Sequence, residues 1–196
     1  MKVEVELLQT DGKGNFTYRA HTNDGASISN PTVAGTYGVA SNGRLNSLGR
    51  LGPVFYVVDT NEGFGIGTST NVTSSFFEPQ STEPFSNASL NASYFFGQAV
   101  PSAEAFQFQT GEFTLDGAGN VSGTSDAING SSDALSPAQS WSGQTYAISS
   151  TGRGTLSYNG DVVSILYVIS PTRWVSIDIG PPNNVPSYPE LQLSLE

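Results

Sequence analysis

The sequence predicts an all-β fold: two tandem, antiparallel up-and-down sheets of about eight strands, each curled toward a barrel. Three observations carry this. Short runs alternate apolar and polar side chains and end at Gly, Pro, Asn or Ser, the pattern of half-buried strands joined by turns. The composition, with 22 Gly, 11 Pro and 11% aromatic residues against 12% charged ones, favours short strands over helices or disorder. Finally, a series of phrases in the first half returns in the same order in the second.

The repeat is collinear. Asp-Gly-x-Gly-Asn occurs at Asp11–Asn15 and at Asp116–Asn120, and "NDG" at Asn23–Gly25 meets "ING" at Ile128–Gly130. "TYGVASNGR" (Thr36–Arg44) meets "TYAISSTGR" (Thr145–Arg153), and "VFYVVDT" (Val54–Thr60) meets "ILYVISP" (Ile165–Pro171). A last match pairs Glu78 with Glu190 and Gln80 with Gln192. The offset drifts by a few residues, as loop insertions require, so the chain is a duplication. Residues 1–85 form the first copy and 86–196 the second, joined around "PFSNASL". The second copy reads as complete. The first lacks a counterpart of "LNASYFFGQAV" (Leu90–Val100), its N-terminal strand.

In the second copy the strands follow in order: "ASYFFGQAV", "AFQFQTGEFTL", "NVSGTSDA", "QTYAISS", "RGTLSYN", "VVSILYVIS", "WVSIDI" and "ELQLSL". "LSPAQSW" (Leu135–Trp141) is expected to form a short helical turn. No window carries a helical apolar period, and closure into a barrel removes the sheet's edges.

Charge and cysteine content narrow the chemistry. A formal charge of −10 disfavours nucleic acid and anionic membranes. Cations, small neutral molecules and glycans remain open. The absence of cysteine excludes disulfides, thiolate metal sites and cysteine nucleophiles. No run reaches the roughly 20 apolar residues of a membrane helix, so membrane insertion is not expected. No signal peptide is recognisable, and the terminal "LE" resembles a vector scar. Low charge with abundant Ser, Thr and Asn fits an extracytoplasmic protein. The six Asn-x-Ser/Thr sequons follow from that composition.

Each candidate site has an architectural reading beside it. Asp-Gly-x-Gly-Asn lies between strands, where glycines supply the positive φ of a tight hairpin and the Asp caps its own turn. A calcium site built on Asp11, Asn15, Asp116 and Asn120 is the alternative, although two side-chain oxygens per loop fall short of the six to eight that calcium takes. His21, the sole histidine, stands three residues before Asp24 and is replaced by Asp126 in the second copy. It is a surface histidine or a unique catalytic pair with Asp24. Glu78 and Glu190, with Gln80 and Gln192, are expected on the last strand of each copy. There they would pair with Arg44 and Arg153 across the sheet or serve hydrolysis as carboxylates. Tyr146, shared between copies, reads as core, whereas Trp141 and Trp174, unshared, read as a rim or a sugar platform. "GFGIGT" (Gly63–Thr68) has no helix after it and is rejected as a phosphate loop.

The phrases "PFSNASLNASYFFG", "FTLDGAGNVSGTSD", "LSPAQSWSGQTYAISSTGRGTLS" and "LYVISPTRWVSID" resemble tandem β-repeats of large, mostly uncharacterised secreted proteins of soil bacteria, acidobacteria among them. That resemblance implies a secreted or cell-surface β-domain and names no catalytic residue. "WSGQTYAIS" is similar, by pattern alone, to lipocalin and avidin barrels. The function expected is a non-catalytic module for ligand binding or adhesion, with no cofactor. Arg44, Trp141, Tyr146, Arg153, Trp174, Glu190 and Gln192 are its candidate ligand residues. A calcium-dependent hydrolase of small neutral esters, lactones or glycosides and a carbohydrate-binding module are the alternatives. The open edge of the first copy predicts a homodimer.

Overall fold

A computed structural model of the chain describes residues 3–24, 27–48, 54–60, 62–67, 74–81, 84–98, 107–129, 134–180 and 191–195. The fold is all-β. Among the described residues the helical segment is one 3-10 turn, Asn87–Ser89, and no helix is long and apolar enough to cross a membrane.

The first sheet contains β1 (Val3–Thr10), β2 (Asn15–Asn23), β3 (Ile28–Ser29), β4 (Thr32–Val39), β5 (Arg44–Leu48), β6 (Val54–Asp59), β7 (Glu62–Ile66) and β8 (Ser74–Phe77). Its strands lie in the order β1-β2-β4-β5-β6-β7-β8, with β3 added to β2, and β1 and β8 end the order unjoined. The second sheet contains β9 (Asn91–Gln98), β10 (Gln107–Asp116), β11 (Asn120–Asn129), β12 (Ala134–Ile148), β13 (Arg153–Tyr158), β14 (Asp161–Ser170), β15 (Arg173–Asp178) and β16 (Leu191–Leu195). Here β9 pairs with both β10 and β16 and closes the ring. The predicted repeat is thus visible as two antiparallel barrel-like sheets. Among the described residues no strand joins β1 to β8 as β9 joins β10 to β16.

The ladders give the equivalences residue by residue. Arg44 faces Tyr56, Tyr56 faces Phe64 and Phe64 faces Phe76. In the second copy the same row reads Arg153, Tyr167, Val175 and Leu193. This register corrects the last expected match. Ser75, opposite Gly65, is the counterpart of Gln192, opposite Ser176. Glu78 follows β8, whereas Glu190 precedes β16 and lies outside the described residues. The shared Glu-x-Gln spacing is a local coincidence, because strand pairing, not composition, sets register.

A second correction concerns Leu135–Trp141. It belongs to β12, a 15-residue strand, and not to a helical turn. The ladder with β11 shifts between Ser125 and Ala127. Ala138 takes φ 50° and its N–H is capped by Asp126 Oδ1 at 2.7 Å. A bulge thus absorbs the extra residue, as bulges do, and keeps pairing that a helix would forfeit.

Inside the barrel, Tyr94, Phe96, Phe113, Leu115, Val121 and Trp174 belong to one buried cluster. Phe113 is its hub, stacked on Phe96 at 4.2 Å and on Trp174 at 5.7 Å between centroids. The join between copies takes part. Phe85 and Leu90 are buried in the cluster, and Tyr146 Oη donates toward Leu90 O at 2.8 Å and Asn87 O at 3.0 Å. Asn87 Oδ1 in turn accepts Ile148 N–H at 2.8 Å.

By compactness the chain forms two units. One comprises the barrel with Met1–Val5, Ala20–Asn30 and Ser81–Glu196; the other comprises Glu6–Arg19 and Pro31–Gln80.

Candidate functional site

Among the described residues the barrel interior is packed by the Phe113 cluster. A cavity there measures about 10 Å³ and is lined by Phe113, Leu115, Val121, Gln144, Leu156 and Trp174. That is room for about one water, far below the several hundred Å³ of a drug-sized ligand pocket. Trp174 is 1% exposed, so it is core and not a sugar platform. Tyr146 is core as expected, and burial pushes its phenol pKa above the usual value. Trp141 is half-buried against the same cluster, edge-on to Phe113 at 5.1 Å.

The outer face of β13, β14 and β15 is also buried, which the sequence did not announce. Leu166 and Val168 point into the lumen cluster, so by alternation Ile165 and Tyr167 point outward. Yet Ile165 is 3%, Tyr167 4% and Ile177 0% exposed. The end of β2 reaches this face through two residues. His21 Nδ1 lies 3.1 Å from Tyr167 Oη, and His21 Nε2 lies 3.1 Å from Arg153 Nη2. Asn23 Nδ2 donates to Asp178 O at 2.9 Å.

These contacts fix the tautomer of His21. Arginine only donates, so Nε2 accepts and the ring proton of the neutral imidazole sits on Nδ1, where it donates to Tyr167. Ala20, His21, Thr22 and Asn23 are all buried. The histidine expected at the surface is therefore a strand-to-barrel fastener. Asp24 is exposed and caps its own turn, accepting Ser27 N–H at 2.7 Å and Ser27 Oγ at 3.1 Å. The sequence signal that could have exposed this role is the pairing of a repeat-shared Arg and Tyr with a histidine confined to one copy.

The repeat-shared Arg44 and Tyr56 have a different setting. Tyr56 is 47%, Phe64 62%, Ile66 56% and Phe76 48% exposed. Val54 faces Ile66 just as Ile165 faces Ile177. The face that is covered in the second copy lies open in the first.

A polar hollow occupies the outer face of β10, β11 and β12. Its volume is about 330 Å³, and Glu112, Thr114, Ser122, Thr124, Ser140 and Trp141 line it. Hydroxyls and one carboxylate give it hydrogen-bonding capacity without net basic charge.

Both Asp-Gly-x-Gly-Asn loops are hairpin turns. Asp116 Oδ1 accepts the N–H groups of Ala118, Gly119 and Asn120, and Oδ2 accepts Asn120 Nδ2 at 2.6 Å. Asp11 does the same toward Lys13 and Asn15. Gly12, Gly14, Gly117 and Gly119 all take positive φ. These donors hold the Asp116 carboxyl down to about 2, with the Asn120 side chain the largest cause, and lower Asp11 likewise. The oxygens a cation would need are spent on the turn. Among the described residues no group of three metal-ligating side chains assembles.

"GFGIGT" begins in β7, as its rejection as a phosphate loop required. Gln192 lies in β16, opposite Ser176. Glu190 lies outside the described residues. Comparisons of the chain with protein-family models, curated proteins and solved structures find no match.

Proposed function

We propose that the chain is a non-catalytic, extracytoplasmic binding or adhesion module, secreted or displayed at the cell surface, that works through outer surfaces and not through an interior pocket. The observation that carries this reading is the packed cluster around Phe113 and Trp174, whose cavity holds about 10 Å³, beside an exposed aromatic row on the first sheet. The residues common to both copies are turn formers, core apolars and an Arg-Tyr pair, a set with no nucleophile and base. A screen of ester, lactone and glycoside substrates is expected to show no turnover. Turnover abolished by one polar substitution would overturn the proposal.

The polar hollow favours a second reading, a carbohydrate-binding module for neutral glycans. Its hydroxyl lining and the nearby indole of Trp141 suit sugar hydroxyls and apolar sugar faces. Oligosaccharides should quench tryptophan fluorescence, and Thr124→Ala with Glu112→Gln should abolish the quenching. Unchanged quenching in that pair would remove the hollow as the site. The calcium-dependent hydrolase draws no support from the two Asp turns, whose carboxylates accept from their own loops. An edge-paired homodimer draws support from the unjoined β1 and β8.

A further inference from the structure

Two exposed apolar surfaces in this chain are counterparts of two surfaces that already meet. On the barrel, the face carrying Arg153, Ile165, Tyr167 and Ile177 is engaged by the end of β2, with His21 bridging Tyr167 and Arg153 and Asn23 donating to Asp178 O. The matching face of the first sheet carries Arg44, Val54, Tyr56 and Ile66, with Phe64 where the barrel has Val175. The counterpart of the β2 end is the end of β11, where Asp126 stands in place of His21 and Ile128 in place of Asn23. That end is open as well. Asp126 is exposed, Ile128 is 47% exposed, and Leu135, opposite it across the ladder, is 59% exposed.

We infer that the β11 end of one copy docks on the Arg44–Tyr56–Phe64 face of a second copy of this chain, repeating between molecules the contact His21 makes on the barrel. The inference rests on the surface-module reading. The chemistry of the exchange favours it. His21 accepts from Arg153 and donates to Tyr167. Asp126 retains a carboxylate oxygen beyond the one that caps Ala138, and a carboxylate accepts from both Arg44 and Tyr56 while neutralising the guanidinium. Ile128 then meets Ile66 and Phe64, an apolar contact where Asn23 makes a hydrogen bond. Each copy carries both a face and a tip, so every copy can give and receive this contact.

Sedimentation velocity over a concentration series tests this. The wild-type chain is expected to self-associate as concentration rises. Arg44→Asp places acid at both ends of the contact, and Asp126→Arg places base at both. Each variant alone should associate at least tenfold more weakly, and an equimolar mixture of the two should assemble again. Phe64→Ser, an exposed position, should weaken association similarly without depending on charge. Circular dichroism would confirm that each variant keeps its strands. A chain that stays monomeric at every concentration overturns the inference. So does association indifferent to Arg44→Asp and Phe64→Ser, or a mixture that fails to reassemble. None of these outcomes touches the absence of turnover, which decides the module reading separately.

Discussion

Trp174 stands directly opposite Ser194 across β15 and β16, and at the same place in the first sheet Gly63 stands opposite Phe77. The large residue has changed strands between the copies. A Cβ at Gly63 would come within 2.7 Å of the Phe77 ring and 2.6 Å of Tyr56 O, so Phe77 occupies the room that Trp174 takes in the barrel. Volume-conserving exchange of this kind is how cores diverge without losing density. The matched pairs predict a clear asymmetry. Trp174→Ala should destabilise the barrel by about 3–5 kcal/mol. Trp174→Phe should cost less, because the indole N–H is buried with no partner among the described residues and its removal relieves a desolvated donor. Urea unfolding followed by far-UV circular dichroism reads both. Equal losses would mean that the indole N–H is satisfied in solution.

His21 supplies the second prediction. Replacing it with Ala removes the partner that Tyr167 Oη and Arg153 Nη2 share. The expected cost is about 1–3 kcal/mol, the range for removing one partner of a buried hydrogen bond. His21→Gln, which can offer both an acceptor and a donor, should recover part of it. Thermal unfolding of the two variants checks this. A stability unchanged by His21→Ala would show that water enters the face and replaces the imidazole.

These cases also mark how far the sequence could be read. Alternation and turn residues sufficed for strands and repeat, because period-two patterning and Gly φ are local properties. Gly117, Gly119 and Asp116 announce their hairpin within five consecutive residues. The role of His21 is not local: it depends on Tyr167 and Arg153, distant in sequence. Neither could the burial of Ile165 and Ile177 on the outer face be distinguished from lumen packing, since both read as apolar strand residues. The match of Glu78 with Glu190 misled because a three-residue coincidence carries no register. Trp174 misled for the converse reason. Its lack of a Trp counterpart looked like a site, but Phe77 on the neighbouring strand is its compensation.

Acid and base should act on two aspartates with opposite sign. Asp116 titrates at about 2 in the folded chain, below the ordinary value of 3.8. Its contribution is therefore complete above that ordinary value and fades as pH falls toward 2. Asp178 goes the other way, raised by burial. The folded state holds its proton more tightly than the unfolded one, so Asp178 weakens stability as pH rises through and beyond the ordinary carboxylate range. Asp178→Asn can still accept the Gly180 N–H that Oδ1 accepts at 2.9 Å. This variant is expected to be at least as stable as the parent at pH 7, with the difference vanishing near pH 3. Asp116→Ala should be less stable at pH 7 and converge with the parent near pH 2. Melting temperatures measured from pH 2 to pH 8 decide both signs.

The last prediction concerns calcium. Each loop Asp accepts from backbone N–H groups and from the Asn four residues on, so a bound ion would have to break the turn it sits in. A ligand specific to the folded state raises the unfolding midpoint in proportion to the logarithm of its concentration over Kd. Melting the metal-freed chain with calcium and with EDTA is therefore expected to give one midpoint. If calcium raises it, the effect should be traced through Asp116→Asn and Asp11→Asn. Either amide still accepts from the turn but loses the charge that holds a divalent cation. Loss of the calcium shift in those variants would place the ion on the loops and reopen the metal-assisted reading. Its persistence would locate the ion elsewhere on this acidic chain.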